Sequence, residues 1–214
     1  MLREIGAVRH GQREGQPHTR GRASPRRPVP VALKSTIFKL TLAVADIGRG
    51  YYRGHELTVA RHPSETDERM MVRVLAFALF ADDALAFGRG LSAEDEPDLW
   101  RCDLTGAIRH WIDVGLPDER EIRKACGRAD AIDVLAYGGR AVELWWQDVH
   151  PRLARQSRLA VTEVPPDASR ALAGMVDRFM RLQVTIQDDH VLIADGSTSV
   201  SVELARRQSR AGSA

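Results

Sequence analysis

The chain has 214 residues, 43% hydrophobic and 28% charged, which suits one domain with a real core and leaves too little length for two independent domains. No apolar run approaches the roughly 18 residues of a membrane span, and the early arginines are not followed by the apolar stretch of a secretory signal, so membrane contact is not expected. Cys102 and Cys126 make neither a disulfide framework nor a C-x-x-C knuckle, the cysteine usage of a reducing cytoplasm.

The net charge of +2 is unevenly spread: residues 1–30 carry seven Arg against two Glu, which leaves a mildly acidic body. There is no global basic footprint, so a nucleic-acid partner would have to be held by a local patch. The first thirty residues are rich in Gly, Pro, Arg and Gln and lack hydrophobic periodicity, so they are expected to form a disordered basic tail. From Val31 the pattern becomes alternating: Phe38, Leu40, Leu42 and Val44 share one strand face, and a turn at Asp46–Gly50 leads to a second strand, Tyr52 to Arg61. A helix start follows, with Ser64 as its expected cap and Met71, Val74, Leu75 and Ala78 at helical spacing to about Phe80. Glu68 falls on the Met71 and Leu75 face, an unusual place for a carboxylate.

Next come an acidic stretch, Glu94 to Asp98, a strand Leu99 to Cys102, and a strand Ile108 to Val114. Asp118 and Glu121 read as a capping box for a helix ending at Gly127. A strand Ala131 to Tyr137 and a helix Arg140 to Val149 follow, then a helix near Ala168 to Arg178. Three runs, Arg181 to Gln187, Val191 to Ala194 and Val200 to Ala205, read as a closing meander. The expected class is α+β, a mixed β-sheet core flanked by helices. A single domain is expected over 31–206, with 207–214 as a disordered end.

The hairpin through Thr105 and Gly106 is the candidate for chemistry, the alternative being that Glu94 to Asp98 is a solvated acidic loop. With a two-residue loop, Asp98 lies opposite Asp113; with a four-residue loop, Glu96 takes that place. Either register sets two acids across a ladder, an arrangement that implies exposure, a shared proton or a bound cation. Magnesium is the cation such a pair suits, since it accepts one or two carboxylates and keeps waters for a phosphate. None of the seven His stands at a zinc spacing, and Gly48-Arg49-Gly50 and Gly88-Arg89-Gly90 are turns without the rest of a phosphate loop. Trp145-Trp146 offers base stacking or, more ordinarily, core packing.

The runs Ala60-Arg61-His62-Pro63-Ser64-Glu65-Thr66 with Glu68-Arg69-Met70-Met71, Arg89-Gly90-Leu91 with Asp95-Glu96-Pro97, Trp111-Ile112 with Gly115-Leu116-Pro117-Asp118-Glu119-Arg120, and Tyr137-Gly138-Gly139-Arg140-Ala141 with Trp145-Trp146 resemble the YaeQ family. The resemblance covers about Val31 to Ala205. It implies a bacterial cytoplasmic protein whose fold varies the PD-(D/E)XK nuclease core, with additional N- and C-terminal antiparallel strands and with acids from two adjacent strands holding magnesium beside a phosphodiester. Carried over, Asp98 and Asp113 would be the metal acids and Glu68 an auxiliary ligand. The pattern wants a lysine two residues after Asp113, where this chain has Gly115. Lys124 is the candidate replacement, although it sits about 200° around the wheel from Ile122 on the apolar face. Arg120 or Arg123 would bind a phosphate.

The expected function is therefore a magnesium-dependent phosphodiesterase acting on nucleic acid. Its rival is a catalytically inactive binding module, for nucleic acid or protein, that keeps the fold without the lysine. A monomer is expected. The resemblance begins at Val31, where a GTG codon could serve as a start, so residues 1–30 are expected to be dispensable.

Overall fold

Strict alternation builds the first sheet. In the computed structural model, which describes residues 35–88 and 95–211, β1 (Thr36–Asp46) buries Phe38, Leu40, Leu42 and Val44 and turns Lys39, Thr41 and Ala43 outward. It pairs antiparallel with β2 (Tyr51–Arg61) and parallel with β8 (Phe179–Gln187). The meander β8, β9 (His190–Ala194) and β10 (Ser199–Glu203) completes a five-stranded sheet of order β10-β9-β8-β1-β2.

The second sheet has order β11-β7-β6-β5-β4-β3. Its strands are β3 (Leu85–Phe87), β4 (Leu99–Cys102), β5 (Ile108–Val114), β6 (Ala129–Ala136), β7 (Leu159–Glu163) and β11 (Ala205–Gln208). β5, β6 and β7 run parallel, joined by α2 (Glu119–Arg128) and α3 (Arg140–Leu153). Crossovers of one hand put both helices on one face, where Ile122, Ala125, Val149 and Leu153 pack on Trp111, Ile132 and Val134.

The opposite face packs on α1 (Asp67–Leu79). Every residue from Met70 to Ala78 is buried, the signature of a helix enclosed on all sides, and α1 shares one core with strands of both sheets. It also packs on α4 (Pro166–Ala173). Thr66, not Ser64, caps α1, accepting from the Arg69 N–H at 3.1 Å; Ser64 is engaged by the His62 ring at 2.6 Å.

The architecture matches the expected α+β class, with differences in detail. The additional N- and C-terminal strands form a sheet of their own, because β8 returns to pair with β1, and does so parallel. β3 and β7 were not foreseen, α4 begins at Pro166 and ends before Gly174, and α3 continues through Pro151. β11 runs past the boundary expected at 206, and Arg210 pairs with Asp133 at 2.7 Å. The expected tail, residues 1–30, lies outside the described residues, as do Glu94 and residues 212–214. Among the described residues no helix is long and apolar enough to cross a membrane.

Candidate functional site

β4 and β5 form the hairpin on which the candidate acids sit. Leu99 pairs with Ile112, Trp100 with Trp111 and Arg101 with His110, and this register sets Asp98, one residue before the strand, opposite Asp113. This is the register expected of a two-residue loop, reached here through a longer connection and a bulge. The connection is Asp103–Ala107, closed by the Asp103 N–H on the Ala107 carbonyl at 2.9 Å, and Arg109 is bulged where the pairing steps from His110 to Ile108. Asp103 Oδ1 accepts from Thr105 and from the Ala107 N–H, and the Thr105 hydroxyl, first among these partners, holds its pKa down to about 2.

The two acids share a rung but turn apart. Asp98 precedes the strand, and its carboxylate goes to α1: Oδ2 accepts from Arg69 Nη2 at 2.8 Å and from the Val114 N–H at 2.8 Å, and Oδ1 faces Arg73 Nε at 3.4 Å. Asp113 instead accepts from Trp111 Nε1 at 2.7 Å, on the side packed by α2, and from the Asp98 backbone N–H. Burial, with added repulsion from Asp98 and Glu121, raises its pKa from 3.8 to about 7.

Arg69 and Arg73 belong to a buried network that the motif reading passes over. Glu65 Oε1 accepts from Arg69 Nη1 at 3.0 Å and from Arg73 Nη1 at 3.1 Å, with the Glu65 side chain 1% exposed. Two carboxylates and two guanidiniums thus neutralise one another in the core. Against the downward pull of burial, Asp98 and Glu65 raise the Arg69 pKa above its ordinary value. One signal was present in the sequence: Arg73 interrupts the apolar run Met70 to Ala78, and a charge buried mid-helix requires a partner. Arg73 also lies over the Phe87 ring at 5.3 Å.

The other expected site residues separate. Glu68 accepts from Ser169 Oγ at 2.5 Å; Ser169 is fully buried on α4, so Glu68 faces α4. Burial raises the Tyr137 phenol, with Arg69 opposing and Glu68 adding to the rise. Lys124 is exposed and ion-paired with Asp95, whose carbonyl also accepts from Arg128; it anchors the segment before β4. Arg123 is engaged by Glu119 at 2.6 Å and the Arg152 carbonyl at 3.1 Å. Arg120 is exposed at the start of α2. Gly115 adopts φ +114°, a backbone that a lysine would occupy only under strain.

Magnesium does not fit these residues as arranged. A carboxylate already receiving one guanidinium and an N–H, with a second guanidinium against its other oxygen, is a poor ligand for a hard cation. Glu68 and Asp113 are each committed to a different partner. What the arrangement provides at this end of the sheet is a neutralised ion cluster, a carboxyl titrating near neutrality, and the carboxyl ends of three parallel strands, where open sheets place their ligands.

Fold and site together define an α+β protein with a mixed sheet between a buried helix and a pair of crossover helices. The family model described as YaeQ protein matches residues 31–204, and the chain belongs to that family. YaeQ of Salmonella typhi is 45% identical over 179 residues, covering 83% of this chain and 98% of that one; YaeQ of Escherichia coli K12 is 43% identical over the same length and shares. The crystal structure of YaeQ from Xanthomonas axonopodis pv. citri is similar with a TM-score of 0.80 and 49% identity, over 82% of this chain and 99% of that one. That from Pseudomonas syringae gives 0.79 and 37%, over 82% and 97%.

Proposed function

We propose that this protein is a nucleic-acid-binding module on a nuclease-like core, with an ion-pair network standing where metal chemistry would operate. The observation that carries the reading is the hold of Arg69 and Arg73 on Asp98, reinforced by the positive φ of Gly115 at the expected lysine position. The binding part rests on the carboxyl edge of the second sheet. Arg120 in the first turn of α2 and Arg140 opening α3 are both exposed, and both helices start where adjacent parallel strands end. Guanidiniums beside helix N-termini suit phosphate oxygens. Leu116 and Leu144, 36% and 58% exposed, add apolar surface there, next to Trp145, whose Nε1 donates to the Pro117 carbonyl at 2.8 Å.

The test is fluorescence anisotropy with end-labelled single-stranded and duplex oligonucleotides across a salt series, in EDTA and in Mg2+. Salt-sensitive binding without cleavage is expected, with Arg120→Ala and Arg140→Ala each weakening it about tenfold and reducing the salt slope by about one. Mg2+-dependent cleavage that disappears in Asp113→Asn would establish the rival phosphodiesterase and overturn this reading. Absence of binding to either oligonucleotide would also overturn it.

A further inference from the structure

We propose that the outward face of the first sheet is a self-association surface that pairs two copies of the chain, in place of the expected monomer. This rests on observations separate from the proposed nucleic-acid site. One face of the sheet is core; among the described residues the other is uncovered, and it carries a smaller share of charge than the chain as a whole. The whole chain is 28% charged, with 31 Lys and Arg, yet across the outward positions of these five strands only Lys39, Arg181, Glu56 and Glu203 are charged. Phe179 (77%), Tyr52 (63%), Leu192 (48%) and Ile37 (46%) stand exposed on the same face.

The register arranges these residues. Phe179 neighbours Lys39, and Ile37 follows on β1. At the other end Tyr52, Ala45, Thr185 and Leu192 form one row. Between them Ala43 pairs with Gly54 on one side and Gln183 on the other, and Gln183 pairs with Ala194. Bulky apolar ends around a shallow centre let a second sheet approach to the roughly 10 Å at which sheets pack. Depletion of charge with aromatics kept is the composition of an interface core.

The occupant follows from charge and area. Two bases and two acids give the face no net charge, so it lacks what a nucleic acid or an anionic membrane requires. A second copy supplies acids to these bases and bases to these acids, as an isologous contact demands. Strands about 4.8 Å apart with a rise of about 3.3 Å per residue give the face roughly 650 Å2 of flat area, within the range a stable interface takes from each partner.

Sedimentation analysis of the full chain from about 1 to about 100 μM tests the proposal. Wild type is expected to reach twice the single-chain mass. Ala43→Arg and Phe179→Glu, both outside the core, are expected to keep the wild-type circular dichroism and stay at the single-chain mass. A wild-type protein that remains single throughout would overturn the proposal. Variants that associate as wild type does would overturn it equally, by placing the contact on another surface.

Discussion

Asp98 and Asp113 occupy one rung of one hairpin, and the two sides of the sheet treat them differently. On the α1 side Asp98 meets Arg69, Arg73 and the Val114 N–H. On the α2 side Asp113 meets an indole N–H, the Asp98 N–H, and repulsion from Asp98 and Glu121. Burial raises both carboxyls; Arg69 and Arg73 pull back on Asp98 against it, and among the described residues no cation does so for Asp113. One becomes part of a core ion network, and the other is pushed up to about 7. The lesson is that two acids facing across a ladder do not by themselves make a metal site: the helix packed on one face can claim one of them first.

Removing Arg73 breaks the paired side and carries the largest expected effect. Arg73→Met leaves Glu65 and Asp98 to share Arg69 in a region where Arg73 is 1% exposed, and breaking a buried charge network of this kind costs about 3–5 kcal/mol. The measurement is the urea midpoint at unchanged m-value; a loss under about 1 kcal/mol would show that the network contributes little.

The unpaired side is probed by Asp113→Asn across pH. The folded pKa of Asp113 lies above its ordinary value, so its stabilising contribution is complete below pH 3.8 and is lost as pH rises through about 7. Asparagine does not titrate and still accepts from Trp111. The variant is expected to gain on wild type over that window and to be more stable above it by about 1–3 kcal/mol. A pH-independent difference between the two proteins would contradict the assignment.

Smaller effects sharpen the contrast by acting across the sheet. Asp98→Asn removes the larger of the two repulsions on Asp113 and leaves the backbone N–H in place, so the Asp113 midpoint, followed by carboxyl-carbon NMR, is expected to fall. Glu121→Gln is expected to lower it by less. A Glu121 effect larger than that of Asp98 would mean that Asp113 senses the helix more strongly than its own rung.

The alternation in β1 and β8, the capping box at Asp118 and Glu121, formed at 2.8 and 2.7 Å, and the pairing of Trp100 with Trp111 were all legible in the sequence, because each is set by residues close in the chain. The direction of the Asp98 carboxylate was not. It depends on Arg69 and Arg73, about thirty residues upstream, and on a chain that bends just before Leu99. Glu68 was misplaced for a related reason: α1 is buried on all sides, so sharing the Met71 face does not specify a direction, and Ser169 of α4 decides it. The short strands β3 and β7 carry too little pattern to be told from loops.

The parallel pairing of β1 with β8 has a consequence for synthesis. The β1–β2 hairpin closes locally and can form soon after it leaves the ribosome, yet the other edge of β1 waits for residues 179–187. Over that interval an eleven-residue strand with apolar residues at every second position along most of its length presents an open row of N–H and carbonyl groups, the kind of edge that recruits other chains. Closing a sheet across so much intervening chain is also slow. Newly made molecules therefore depend on how quickly their last sixth arrives, and β1 is where an interrupted chain will aggregate.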